Sequence, residues 1–119
     1  MPRLLTLAGH DPVHGAGLTA DLATWAAMGL DGASVVSALT VQNAHGFQRA
    51  EPVNPRLVRE ALHAVLADGE PAAIKLGLLG SPDIAREALD FVRARRCPVV
   101  LDPVLAASNG RIACDDRDA

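Results

Sequence analysis

A glycine-rich turn near the start of the chain most constrains the fold. Residues 9–17 read Gly-His-Asp-Pro-Val-His-Gly-Ala-Gly and stand between an apolar run, residues 4–8, and a helix-like run, residues 18–28. Such a turn brings bare backbone close to a ligand and points the unpaired N–H groups of the following helix at it. The segment therefore predicts a strand, a ligand-facing turn and a helix of an α/β protein.

Further apolar runs predict three more strands. They cover residues 33–41, 72–76 and 98–101. The first of these runs is continuous rather than alternating, which is typical of a strand covered on both faces in a parallel sheet. Residues 43–52, which hold one glycine, read as a polar connection.

Two dipeptides mark the starts of further helices. Asn54-Pro55 and Ser81-Pro82 each place a good N-cap residue before a proline at the first helical position. Gly29 ends the first helix, and the segment 68–71, Asp-Gly-Glu-Pro, ends the second. The resulting order, βαβαβαβ, predicts an α/β fold with a doubly wound, mainly parallel sheet and helices on its faces.

Polar residues or glycines follow each predicted strand. They are His10-Asp11, Gln42-Asn43, the segment 77–80 and Asp102. Ligands of doubly wound sheets bind outside the carboxyl ends of the strands, so these positions are the first candidates for a functional site.

Composition excludes several classes of protein. With 119 residues, 3% aromatic side chains and a net charge of −3, the chain lacks both stacking platforms and a basic footprint for nucleic acid. No apolar stretch reaches membrane-spanning length and no signal-peptide pattern is visible, so we expect a cytoplasmic protein. The two cysteines form no CxxC and the four histidines have no metal spacing, so no zinc site and no metal-binding cluster of these residues is expected.

The glycine turn matches neither common nucleotide fingerprint. A Walker A loop needs Gly-Lys-Ser/Thr, whereas Leu18-Thr19 follows Gly17. A dinucleotide-binding turn needs G-x-G-x-x-G, whereas the third glycine is missing here. A plain strand–helix turn stays open as the alternative.

Two polar positions offer chemistry beside the turn. Gln42-Asn43 ends the second predicted strand, and a side-chain amide suits a heterocycle edge that carries a ring nitrogen and an amino group. Asp21 lies one helical turn after Gly17 and either faces a ligand or is a solvated carboxylate near the helix N-terminus. Ordinary loop polarity is equally compatible with Gln42-Asn43.

Two further charged residues are ambiguous. Lys75 stands inside an apolar strand, where it needs a partner or a ligand unless it lies at an edge or snorkels to water. Asp102 ends the last predicted strand and either helps organise a metal–phosphate site or caps the following turn.

Five segments together resemble the hydroxymethylpyrimidine/phosphomethylpyrimidine kinases of thiamine biosynthesis, which belong to the ribokinase-like superfamily. They are LTLAGHDP at 5–12, GAGLTADL at 15–22, SALTVQN at 37–43, IKLGLLG at 74–80 and VVLDPV at 99–104. They occur in the family's order and at its spacing. Each motif alone is weak, but the set is specific and covers essentially the whole chain.

The resemblance implies a three-layer ribokinase-like fold and a set of site residues. The pyrimidine ring would contact Ala16, Thr40, Gln42 and Leu78, with Gln42 reading the ring edge. Asp21 would approach the hydroxymethyl or amino group of the substrate, and Asp102 would lie near phosphate and Mg²⁺. The implied reaction is transfer of a phosphoryl group from ATP to the hydroxymethyl group and then to its monophosphate.

Two positions in the turn depart from the family pattern. The family reads Ser-Gly-Gly-Ala-Gly or similar, whereas Val13-His14 precede Gly15 here. His10 stands where Ser or Thr is common. These bulkier residues reduce backbone freedom and change access to the expected pocket.

The chain is also shorter than full members of the family. The resemblance implies that a C-terminal half supplies most of the ATP site, the anion hole and the catalytic base, so we expect residues 1–119 to form the N-terminal substrate-binding portion and to hold no catalytic residue. Low turnover and an open sheet edge, which a homodimer would cover, are further expectations. A non-catalytic pyrimidine-binding module or degenerate remnant and a pyridoxal-type kinase are the alternatives.

Overall fold

One sheet of five strands organises residues 3–102, which are the residues that the computed structural model describes. The strands are β1 (Arg3–His10), β2 (Asp31–Asn43), β3 (Gly46–Pro52), β4 (Ala73–Leu76) and β5 (Val99–Leu101). The helices are α1 (Gly17–Ala27), α2 (Pro55–Ala67) and α3 (Pro82–Arg93). None of the helices in this range is long and apolar enough to cross a membrane.

The strand order is β3-β2-β1-β4-β5. β1 pairs in parallel with both β2 and β4, and β5 pairs in parallel with β4. β3 is antiparallel to β2 and lies at one edge. The prediction of a doubly wound, mainly parallel sheet is confirmed, and all parallel strands end at the same side of the sheet.

Helices lie on both faces of this sheet. α2 and α3 cover one face, where their apolar side chains meet those of β1, β2 and β4. This core consists of Leu5, Leu7, Val35, Val58, Leu62, Ile74, Leu76, Ile84, Ala88 and Phe91. α1 covers the opposite face. Side chains alternate along β1, so Thr6 and Ala8 point toward α1 and away from Leu5 and Leu7.

α1 lies close to the sheet because Gly32 has no side chain. A Cβ at that position would lie 2.6 Å from the Trp25 ring and 2.9 Å from Leu22. Leu18, Leu22 and Trp25 form the inward face of α1, whereas Ala26 is exposed. The helix ends where the sequence predicts, with Gly29 at φ +75°.

The predicted starts of α2 and α3 are confirmed by their caps. Asn54 Oδ1 accepts the backbone N–H of Arg56 at 2.9 Å, and Ser81 Oγ accepts that of Ile84 at 3.2 Å. In both helices proline occupies the first turn, where its missing N–H costs no hydrogen bond.

The expectation for residues 43–52 was wrong. They form a turn followed by β3, so the element order is βαββαβαβ with five strands rather than four. Asn43 Oδ1 accepts the backbone N–H groups of His45 and Gly46 and thereby reverses the chain. β3 looks polar in sequence because it is an edge strand in which only Phe47 is buried.

Candidate functional site

The candidate site lies where β1, β2 and β4 end and the glycine turn begins. His10, the last residue of β1, pairs with Leu39, and β2 runs on for four residues past this point to Asn43. Thr40 and Gln42 therefore stand on a projecting arm beside the turn. The sheet places them at the carboxyl edge, where doubly wound proteins bind ligands.

The glycine turn is organised by the carboxylate of Asp11. Oδ1 accepts the N–H of Val13 at 3.0 Å, and Oδ2 accepts those of Gly15 at 2.8 Å and Ala16 at 3.1 Å. Asp11 itself is only 4% exposed. Three N–H groups that could have bound a phosphate are already satisfied by an internal anion, so this turn shapes a wall rather than a phosphate cradle.

The path of the turn depends on Gly17. Its φ is +71°, and a Cβ there would lie 2.3 Å from the carbonyl oxygen of Gly9. His14 also has a positive φ, +62°, where a side chain is strained. Glycine adopts a positive φ without this strain, so His14 takes up this backbone conformation at a cost.

A hydrogen-bond chain fixes the orientation of Gln42. Thr40 Oγ1 donates to the carbonyl oxygen of His10 at 2.6 Å, and Gln42 Nε2 donates to Thr40 Oγ1 at 2.8 Å. Because a hydroxyl has a single proton and Thr40 gives it to His10, Thr40 can only accept from Gln42. Gln42 Oε1 makes no hydrogen bond to a described residue, and Nε2 keeps a second proton.

Leu78 forms an apolar wall beside the strand that carries Gln42. Leu78 follows β4 and packs against Ala38 and Phe47 in a small buried cluster. Its backbone carbonyl accepts a hydrogen bond from the buried Ser37 hydroxyl. Gly9 leaves room for Leu78, since a Cβ at Gly9 would lie 3.0 Å from Leu78 Cδ2.

Asp21 and Lys75 form a second polar group, on the α1 face of the sheet. Lys75 Nζ donates to Asp21 Oδ1 at 2.5 Å, and Thr6 Oγ1 donates to Asp21 Oδ2 at 2.7 Å. The Asp21 side chain is 12% exposed, so its interpretation as a solvated helix carboxylate was wrong. Lys75 has the partner that its place in an apolar strand requires.

Ala16 and Asp102, the other two predicted site residues, belong neither to the Thr40–Gln42 pair nor to the Asp21–Lys75 pair. Ala16 is exposed at the N-cap of α1, within the turn that Asp11 holds. Asp102 follows β5 and is exposed; its N–H donates to the carbonyl oxygen of Leu76 at 2.8 Å. Two strand spacings separate β5 from β1, roughly 10 Å.

Sequence reasoning listed Asp11 among the polar residues that follow a strand but did not find that it holds the turn, and it missed the role of Thr6. Asp11 precedes a proline and a glycine turn, and an aspartate at that place is a recognised signal for side-chain-to-backbone hydrogen bonds. Thr6 carried no such signal, because its partner is fifteen residues away. Within residues 3–102, no cluster of three His, Cys, Asp or Glu side chains could hold a metal ion.

The fold defines a class of protein. Solved ribokinase-like kinases of small molecules share this fold: phosphomethylpyrimidine kinase from Clostridium difficile 630 superposes with a TM-score of 0.88 and 34% identity, over 99% of this chain and 52% of that one. A pyridoxal kinase from Staphylococcus aureus, solved with ADP, gives a TM-score of 0.80 and 27% identity over 94% of this chain and 41% of that one.

Sequence comparison narrows the class to one family. A sequence model of phosphomethylpyrimidine kinase matches residues 11–119. The hydroxymethylpyrimidine/phosphomethylpyrimidine kinase of Rhizobium meliloti is 37% identical over 89% of this chain and 40% of its own length. The thiamine biosynthesis multifunctional protein ThiED of Corynebacterium efficiens is 44% identical over 92% of this chain and 15% of its own length. The chain belongs to the phosphomethylpyrimidine kinase family, and it spans less than half the length of these two curated relatives.

Proposed function

We propose that this chain supplies the pyrimidine-binding part of a kinase of thiamine diphosphate biosynthesis. The reaction is ATP-dependent phosphorylation of 4-amino-5-hydroxymethyl-2-methylpyrimidine and then of its monophosphate. Membership of the family supports the reaction class. The observation that supports this choice of substrate is the amide of Gln42, which Thr40 holds at the carboxyl end of the sheet.

That edge complements an aminopyrimidine. Gln42 presents an acceptor, Oε1, beside a donor, the second Nε2 proton. The 4-amino group of the substrate is a donor, and the neighbouring ring nitrogen is an acceptor. Two parallel hydrogen bonds would therefore join the amide to this face of the ring, and they would fix which way the hydroxymethyl group points.

The remaining site residues supply the walls and the polar end of the pocket. Leu78 offers an apolar surface for the flat ring, and Ala16 presents only a methyl group at the glycine turn. Asp21 is assigned to the hydroxymethyl or amino group. Phosphoryl transfer depends mostly on positioning and on stabilising charge, so holding the acceptor hydroxyl in place is itself a catalytic contribution.

We include ATP and Mg²⁺ in this proposal because the family is one of kinases. Mg²⁺ in kinases is held by one or two carboxylates together with substrate phosphates, and it neutralises charge on the transferred group. Asp102 is an exposed carboxylate at the same edge of the sheet and fits the role of one such ligand. No general base is assigned within residues 3–102. The cytoplasm as location and a homodimer as assembly remain predictions.

A pyridoxal-type kinase is the second candidate, because pyridoxal kinases superpose on the same sheet with TM-scores between 0.76 and 0.80. Pyridoxal lacks an amino group next to a ring nitrogen, so it cannot make both parallel hydrogen bonds to the Gln42 amide and would leave one of its polar groups unpaired. A buried or partly buried acceptor without a partner costs binding free energy. The amide edge therefore favours the aminopyrimidine, and a non-catalytic pyrimidine-binding module would share this preference.

Calorimetry with the 119-residue chain tests the proposal. The unaltered chain should bind the aminopyrimidine more tightly than pyridoxal, and Gln42→Ala should weaken pyrimidine binding about tenfold or more. Gln48→Ala is the matched control, since Gln48 is exposed on β3 and should leave affinity unchanged. Equal affinity of the unaltered chain and Gln42→Ala, or a preference for pyridoxal, would contradict the assignment. Pyrimidine-stimulated ATP consumption by the same chain should be very low, and turnover comparable with that of a full-length kinase would contradict the assignment of residues 1–119 to the substrate-binding portion alone.

A further inference from the structure

The paired ends of β2 and β3, residues 38–43 and 46–52, form a two-stranded arm. Leu39 and Val41 lie on one face of this arm and are 55% and 43% exposed. Leu39 is the register partner of His10, whose side chain lies on the α1 face by the alternation along β1, so this is the α1 face of the sheet. Two neighbouring aliphatic side chains are thus left in contact with water.

α1 does not reach this part of the sheet. The helix starts at Gly17, beside the end of β1, and packs Trp25, near its own end, against Gly32 at the beginning of β2. It therefore runs away from Leu39 and Val41, and none of the three described helices shields the α1 face of the arm. This face is open for contact with another molecule.

A pair of charged side chains lies beside the aliphatic pair. β3 places Arg49 opposite Val41 and Glu51 opposite Leu39, so all four side chains share one face. Arg49 and Glu51 are largely exposed, and Arg49 Nη1 donates to Glu51 Oε2 at 2.7 Å. The arm thus carries two rows across its strands, each with one aliphatic and one charged side chain.

This pattern is complementary to itself. A two-fold axis that crosses both strands between the two rows brings Leu39 of one copy over Val41 of a second copy. The same rotation brings Glu51 of one copy over Arg49 of the second. Aliphatic side chains therefore meet aliphatic ones and each charge meets its opposite, which is the match that an isologous interface requires. Sheets that pack face to face lie about 10 Å apart, a distance that aliphatic side chains fill.

We propose that the α1 face of the arm binds a second copy of this chain. Leu39 and Val41 form the centre of the contact, and Arg49 and Glu51 form its rim. Charges on an edge strand ordinarily keep sheets apart, whereas here the two signs alternate along β3 and attract the rotated copy. The patch is small beside the roughly 800 Å² per partner of a stable interface, so the dimer is weak and reversible.

The contact leaves the proposed pyrimidine site open. Gln42 pairs with Phe47, whose ring is buried with Leu78 on the other face of the arm. A second copy on the α1 face therefore braces the strand that carries Gln42 without covering its amide. The inference does not depend on which ligand binds there.

Sedimentation equilibrium of the 119-residue chain, from about 10 µM to about 1 mM, measures the association. We expect a monomer–dimer equilibrium. Leu39→Lys puts a charge at the centre of the contact and should weaken the dimer at least about tenfold. Leu57→Lys is the matched control, because Leu57 is also 55% exposed but stands on α2. It should change the dissociation constant by less than about twofold.

Arg49→Glu and Glu51→Arg test the two-fold arrangement. Each substitution leaves a single sign of charge in the rim, so each variant alone should dimerise about fivefold or more weakly than the unaltered chain. An equimolar mixture of the two variants, one of them carrying a fluorophore, should form heterodimers about as strongly as the unaltered chain dimerises, because acidic and basic rims then meet. Mixing cannot restore the ion pair within either chain, so this recovery can come only from contacts between chains.

Three results would overturn the proposal. They are a chain that stays monomeric at every concentration, a dimer that Leu39→Lys does not weaken, and charge variants that fail to recover when mixed. If Leu39→Lys does not fold by circular dichroism, the two charge variants decide, since both positions are largely exposed. The pyrimidine assignment is tested separately by calorimetry and stands or falls independently of these results.

Discussion

The carboxylate of Asp11 accepts the backbone N–H of Gly15 at 2.8 Å, inside a turn that would otherwise be an anion site. Glycine-rich turns before a helix bind phosphates because their N–H groups converge with the helix dipole. Here the converging groups belong to Val13, Gly15 and Ala16, and Asp11 satisfies all three. The turn is therefore preorganised as one wall of a pocket without any ligand.

Replacing Asp11 should be costly. Asp11→Ala leaves three N–H groups without their acceptor, and we expect the free energy of unfolding to fall by about 2–3 kcal/mol. Asp11→Asn keeps an acceptor and should cost less. Urea denaturation measures both, with Asp90→Ala as the control, since an exposed helix carboxylate should change stability by no more than about 0.5 kcal/mol. A loss below that level for Asp11→Ala would show that the turn does not depend on Asp11.

Gly17 and Gly29 form a matched pair for testing the turn geometry. Their φ values are +71° and +75°, but a Cβ at Gly17 would lie 2.3 Å from Gly9 O whereas one at Gly29 would meet nothing within 4 Å. Gly29→Ala should cost only the backbone strain, about 1–2 kcal/mol. Gly17→Ala should cost about 3 kcal/mol or more and should weaken pyrimidine binding, because the turn must move. Equal losses in thermal denaturation would contradict this geometry.

Replacing His14 with glycine should stabilise the protein rather than destabilise it. Its φ of +62° is strained for a side chain, so His14→Gly should raise the free energy of unfolding by about 0.5–1 kcal/mol after the entropy cost of glycine. His14→Ala keeps the Cβ and should give no such gain. The melting temperatures of the two variants decide the matter. A gain in His14→Ala as large as that in His14→Gly would assign the effect to the imidazole and not to the backbone.

The sequence predicted those parts of the fold that depend on local signals. Asn54 and Ser81 mark helix starts because an N-cap acts on backbone groups two or three residues away, and Gly29 marks a helix end for the same reason. β3 was missed because its pairing with β2 comes from the sheet, while its own residues are mostly polar. The turn of Asn43 and Gly46 was the available hairpin signal.

The candidate site was predictable only in part. The place of Gln42 after a strand indicates that it could bind the edge of a heterocycle. Its orientation, however, depends on the hydrogen bond that Thr40 donates to the carbonyl oxygen of His10, and only the structure shows that bond. Likewise, Lys75 and Asp21 each indicate a need for a partner. The two residues are fifty-four positions apart in the sequence, and no sequence signal shows that they pair with each other.

A crystal structure of the 119-residue chain with 4-amino-5-hydroxymethyl-2-methylpyrimidine tests the central claim most directly. We expect the ring at the carboxyl end of β2, with Gln42 Oε1 about 3 Å from the amino nitrogen and Nε2 about 3 Å from the adjacent ring nitrogen. Thr40 should keep its hydrogen bond to Gln42. A ring bound elsewhere, or bound here without contact to the Gln42 amide, would contradict the account.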